Sequence, residues 1–151
     1  MLKVLIAEDN LTIADSVEEA LVDVGYDVCG IAATVDEALA LGRAHVPDLA
    51  VLDLRLANDG LGTAVAAGLR DVGRIGVLYA TGSPDDALGN ADGIASILKP
   101  YSVRDLVSGL RLVREIMETG SATPPYPRNF RLLASRPTEC PADLPATQPC
   151  R

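Results

Sequence analysis

The stretch LAVLDLRLANDG, residues 49–60, opens with an unbroken apolar run, ends that run on the carboxylate of Asp53 and then turns polar as far as a closing glycine. A short apolar run without in–out alternation is the pattern of a strand buried on both faces, as in parallel sheets covered by helices. Four more runs of this kind occur: LKVLIA (2–7), DVCGIA (27–32), IGVLYA (75–80) and IASILK (94–99). The segments between them carry apolar residues at helical spacing. Strands alternating with helices in this way predict an α/β fold, a doubly wound five-stranded parallel sheet.

The helices have their own signals. After the first run, Ile13, Val17, Leu21 and Val24 recur every three or four residues and Gly25 supplies a stop. Thr34 and Glu37 form a capping box for the second helix, which Pro47 ends. GLGTAVAAGLRDVG (60–73) predicts a third, whose small residues let it lie close to the sheet, and SPDDAL (83–88) begins a short fourth with Pro84 in its first turn. Ser102 caps the last helix, with Leu106, Leu110, Val113 and Met117 as its buried stripe.

The 151 residues are 48% hydrophobic, enough for one core-bearing domain over residues 1–119. Residues 120–151 hold seven of the ten prolines and no periodicity, so this tail is expected to be disordered or docked on a surface. It is basic, with Arg128, Arg131, Arg136 and Arg151 against Glu139 and Asp143, while residues 1–120 carry a net charge of −10; such a tail could dock in cis or be an inert extension. An overall charge of −8 argues against nucleic acid or an anionic membrane as partner. No apolar run reaches the length of a spanning helix and no signal-peptide pattern opens the chain, so a cytoplasmic location is expected. Cys29, Cys140 and Cys150 suggest neither a disulfide framework nor, with the single His45, a zinc site.

In doubly wound sheets, sites form beyond the carboxyl ends of the strands. The first run is followed by Glu8 and Asp9, the third ends in Asp53, the fourth is followed by Thr81, and the fifth ends in Lys99 before Pro100. With strand order 2-1-3-4-5 these residues converge. Three carboxylates in a partly solvated pocket are an oxygen environment suited to Mg²⁺. An Asp held beside that ion and a Lys can act as a carboxylate nucleophile toward phosphorus, giving an aspartyl phosphate.

With these residues in this order, the chain resembles the receiver domains of two-component response regulators over about residues 1–119. The resemblance implies a flavodoxin-like receiver fold and a stand-alone phosphoacceptor. In that reading Asp53 takes a phosphoryl group from the phosphohistidine of a sensor histidine kinase or histidine phosphotransfer protein, and the resulting surface change signals to an unknown downstream protein. It further implies Mg²⁺ bound by Asp9, Asp53 and the Arg55 backbone carbonyl, with Glu8 acting through water. Lys99 is implied to pair with phosphoryl oxygens, Thr81 to move toward one of them, Arg55 and Ser83 to guard the path of hydrolytic water, and the Lys99–Pro100 bond to be cis. Such a protein is not an enzyme beyond its own phosphorylation and slow autodephosphorylation, and a homodimer stays open.

Two positions depart from the family pattern. Ser96 stands where receivers usually carry the aromatic that swings inward, the nearest aromatics being Tyr79 and Tyr101; Ala57 stands where many have proline. These departures motivate the alternative of a receiver-shaped protein-binding module that works without phosphorylation. A phosphatase using Asp53 is disfavoured, because such enzymes carry Asp-x-Asp on the first strand and here Asp53-Leu54-Arg55 ends the third. Blander roles remain for each residue alone: Asp53 as a turn former, Glu8 and Asp9 as caps of the first helix, Thr81 as a helix-entry residue and His45 as a helix C-terminal contact. Lys99 is the exception, since a lysine at an apolar strand end needs an acidic partner.

Overall fold

Along β1 (Lys3–Ala7) the pleat sends Val4 and Ile6 to one side of the sheet and Leu5 and Ala7 to the other, and each pair enters a separate hydrophobic cluster. This two-sided burial explains the unbroken apolar run. In the computed structural model, residues 1–82 and 93–133 are described. The predicted short fourth helix and Ser83 lie outside them, as do Cys140 and Cys150.

The elements that follow β1 are α1 (Leu11–Asp23), β2 (Asp27–Ala32), α2 (Val35–His45), β3 (Leu49–Asp53), α3 (Gly62–Gly68), β4 (Gly76–Thr81), β5 (Ala95–Leu98), α4 (Val103–Thr119) and β6 (Phe130–Leu132). A short 3₁₀ turn, Ala57–Asp59, lies between β3 and α3. The sheet order is β2-β1-β3-β4-β5-β6, so the predicted 2-1-3-4-5 array of parallel strands is present. A sixth strand, absent from the sequence expectation, pairs antiparallel with β5 through Ala95–Leu132, Ser96–Arg131 and Ile97–Phe130.

One face of the sheet packs Val4, Ile6, Val51, Leu78 and Ile97 against Val17 and Leu21 of α1 and Leu106, Leu110 and Val113 of α4. The other packs Leu5, Leu52, Val77 and Tyr79 against Ala38 of α2 and Val65 and Ala66 of α3. Full burial of each large aliphatic side chain contributes roughly 1.5–3 kcal/mol, so the paired layers fix the strand tips firmly. The small residues of α3 bring it against α2: a Cβ on Gly68 would press on Leu39, and one on Gly42 would press on Leu69.

Two local expectations are corrected. The buried stripe of α1 is Ala14, Val17 and Leu21, whereas Val24 is the C-cap and is 58% exposed, because the helix has ended before the left-handed Gly25 (φ +99°) turns the chain away. The cap of α1 is neither Glu8 nor Asp9 but Asn10, whose Oδ1 accepts hydrogen bonds from the N–H groups of Thr12 and Ile13 at 3.1 and 3.3 Å. Its short side chain reaches the first turn and leaves the two acids for other work. Thr34 and Ser102 cap α2 and α4 as predicted.

Candidate functional site

The site sits at the carboxyl ends of the strands, where the sheet stops and the loops begin. Asp53 is the last residue of β3, level with Ala80 of β4, and is 6% exposed. Glu8 follows β1 directly, its N–H held at 2.9 Å by the carbonyl of Ala32 on β2, and is 4% exposed. Asp9 is one step further out and is exposed. Carboxylate oxygens of these three residues lie within 4.8 Å of one another.

Lys99 enters from the far side of the mouth. It follows β5, with its N–H donating to the carbonyl of Thr81 at 2.7 Å. Its Nζ donates to Asp53 Oδ2 at 2.9 Å and to Glu8 Oε2 at 3.4 Å. The remaining oxygens also have partners: Asp53 Oδ1 accepts the N–H of Arg55 at 3.2 Å, and Glu8 Oε1 accepts that of Asn10 at 3.1 Å. Thr81 is the last residue of β4 and is buried. Glu8, Asp9, Asp53, Thr81 and Lys99 thus share one mouth, as do the backbone groups of Arg55.

The electrostatics show how crowded that mouth is. Burial, with the carboxylate of Asp53 beside it, raises the pKa of Glu8 to about 7, against the opposing pull of the Asn10 N–H and Lys99. Burial works to lower Lys99, but the hydrogen bonds and negative charge of Asp53 and Glu8 outweigh it and hold the ammonium above its ordinary pKa. The phenol of Tyr101 is pushed up to about 12, mainly by burial and then by the charge of Glu8. One lysine therefore serves two buried carboxylates while a third stands beside them. An all-oxygen donor set with too little positive charge of its own fits a hard divalent cation that prefers oxygen ligands and keeps waters on its open side.

Beside the mouth lies a cavity of about 460 Å³ lined by Thr12, Ser16, Gly82, Lys99 and Tyr101, among others, which shares Lys99 with the site but none of its carboxylates. The loop after Asp53 is held close. The Gly62 N–H donates to the Leu54 carbonyl at 2.9 Å, and a Cβ on Gly62 would collide with the carbonyl of Asp53. Ala57, the departure from proline, donates its N–H to the Ala33 carbonyl at 3.0 Å, a bond that proline cannot make. Ser96, the other departure, lies level with Tyr79 of β4, whose ring is fully buried against Gly93. The Lys99–Pro100 peptide is cis.

The model of the response regulator receiver domain matches residues 4–111. The chain belongs to that family. Its receiver region is similar to the transcriptional regulatory protein PdtaR of Mycobacterium tuberculosis, 33% identical over 113 residues, which cover 73% of this chain and 55% of that protein. The chain therefore spans little more than half the length of this curated relative. Among solved structures it is similar to a CheY-like response regulator receiver domain protein from Methanospirillum hungatei JF-1. That likeness has 29% identity and a TM-score of 0.69, and covers 78% of this chain and 98% of the other. It is also similar to a response regulator from Burkholderia pseudomallei solved with a phosphorylated aspartic acid, a calcium ion and citrate. There the identity is 27%, the TM-score 0.64, and the coverage 80% of this chain and 73% of the other. Receivers are signalling phosphoacceptors that bind Mg²⁺ in an acidic pocket, and this receiver brings Glu8, Asp9 and Asp53 together in an acidic cluster.

The sequence pointed to these residues through the strand endings alone. It did not point to Asn10 as the residue whose N–H steadies Glu8, although an Asn directly before a helical segment is itself a capping signal.

Proposed function

We propose that Asp53 is the phosphoacceptor of this receiver, taking a phosphoryl group from the phosphohistidine of a sensor histidine kinase or histidine phosphotransfer protein. The observation that carries this reading is the geometry around Asp53. Its carboxylate is fixed by the Arg55 N–H on one oxygen and by Lys99 on the other, within 4.8 Å of the oxygens of Glu8 and Asp9. Orientation of the nucleophile is thus complete before a donor arrives. An oxygen of Asp53 forms the new bond to phosphorus as the phosphorus–nitrogen bond breaks, and the electron pair of that bond stays on the imidazole nitrogen.

Asp9 and Asp53, with the Arg55 carbonyl, would hold Mg²⁺ directly and Glu8 would do so through water; when bound, the ion supplies positive charge to the phosphoryl oxygens. Lys99 transfers part of its hydrogen bonding from Asp53 to those oxygens. Thr81, at the end of β4, offers a hydroxyl to one of them. The altered contacts of Thr81 and Lys99 pull on β4 and β5 and so change the surface presented to a downstream protein.

The test is phosphorylation with acetyl phosphate and Mg²⁺. Wild-type protein should gain one acid-labile phosphate, and Asp53→Asn should gain none. Equal labelling of the two, or none on wild type, would turn the assignment toward a binding module that works without phosphoryl transfer.

A further inference from the structure

The segment after α4 returns to the sheet and grips the backbone on both sides of Lys99. The Leu98 N–H donates to the carbonyl of Asn129 at 3.0 Å, and Asn129 Nδ2 donates to the carbonyl of Pro100 at 3.4 Å. Between them the Lys99 N–H is held by Thr81 at 2.7 Å. The peptide that carries the site's ammonium is therefore suspended between β4 and a strap lying beyond residues 4–111, the part matched to the family. Asn129 takes a left-handed backbone (φ +64°), which Asn tolerates better than most residues and which lets its carbonyl and side chain reach the two neighbours of Lys99 together.

The strap has its own anchor. Phe130 opens β6 level with Ile97, and its ring lies over Gly109 of α4, where a Cβ would come within 3.0 Å of it; Tyr126 packs on the same ring with centroids 5.6 Å apart. Three residues of antiparallel pairing and one half-buried ring make a short edge strand, and such elements open at far lower cost than a core strand.

We propose that this strap, Asn129 together with the Phe130 anchor, is a positioning element for Lys99: docked, it sets where the ammonium stands relative to Asp53; released, it lets the Lys99 peptide drift. The inference rests on Asp53 being the phosphoacceptor. Asn129 and Phe130 touch neither donor nor phosphoryl group and act through Lys99.

Full-length protein labelled with acetyl phosphate and Mg²⁺ tests it. Phe130→Ala should slow the labelling of Asp53 about fivefold and speed tryptic cleavage after Arg128 and Arg131, the sign of a released strap. Phe130→Tyr, which keeps the ring, should restore both. Gly109→Val evicts the ring from the other side and should reproduce the Phe130→Ala effect. Asn129→Gly keeps the backbone bond and loses only the side-chain one, and should slow labelling about twofold. A merely structural role is separated by placing Phe130→Ala in a Lys99→Ala background, where the added slowing should fall below twofold over long incubations. Wild-type labelling rates in strap-released Phe130→Ala and Gly109→Val would overturn the proposal, as would a fivefold effect that persists without Lys99. Wild-type protein that takes no label would remove the phosphoacceptor reading and the strap proposal together, a result distinct from either of these.

Discussion

The two halves of the mouth are built differently. Glu8 follows β1 and Asp53 ends β3, strands whose neighbours on both sides are parallel strands of five or six residues. Thr81 and Lys99 stand on β4 and just past β5, and β5 has on its outer side only the three residues of β6. The acidic half is set in the best-packed part of the fold, where carboxylates can be held close together against their own repulsion. Thr81 shares that packing, ending the fully buried β4, whereas Lys99 follows a strand whose outer neighbour is short and mostly exposed. An anion cluster set among long strands thus faces an ammonium set beside a short one.

The largest expected effect falls on the cation. Lys99→Ala should lower the rate of acetyl phosphate labelling by about 100-fold, the scale of losing one preorganised charge at a phosphoryl oxygen. It should leave the fold intact, because Lys99 is partly exposed. Near-normal labelling would mean that the ammonium is dispensable to the chemistry.

Stability sharpens the same contrast. Leu52→Ala, in the fully buried centre of β3, should cost about 2–5 kcal/mol in urea denaturation. Leu132→Ala, on β6 and 38% exposed, should cost less than about 0.5 kcal/mol. Similar losses at the two positions would erase the distinction between a core strand and an edge strap.

A further effect concerns pH in metal-free protein. Glu8 has its folded pKa raised to about 7 from an ordinary 4.5, so the folded state binds more protons than the unfolded state between those values. Stability contributed by this group is therefore lost as pH rises through that window. In EDTA, Glu8→Gln should gain on wild type between pH 5 and pH 7.5 by on the order of 2 kcal/mol. Parallel pH curves for the two proteins would show that the crowding of the acidic half is relieved by solvent.

How much of this was legible beforehand follows from the range of the forces involved. LAVLD is β3 residue for residue, because a strand buried on both faces has no freedom to be anything but apolar and its end is marked by the first carboxylate. The convergence of Glu8, Asp9, Asp53, Thr81 and Lys99 follows from parallel winding, which brings every strand ending to one side. Val24 misled because helical spacing continues past the point where Gly25 ends the helix. Little local announces β6: Phe130-Arg131-Leu132 is too short to establish a period, two of its residues are exposed, and its pairing comes only from β5, more than thirty positions earlier in the chain. Ala57 looked like a missing proline until its N–H proved to be in use.

The two hydrophobic clusters never merge; the sheet keeps the layer of α1 and α4 apart from that of α2 and α3. Asp53 leads by its loop into α3, and Lys99 leads by its loop into α4. The 2.9 Å bond between them therefore joins the entries of two helices that pack on opposite faces of the sheet. The same ammonium also reaches Glu8, which leads into α1, at 3.4 Å, so one side chain ties together the entries of three helices.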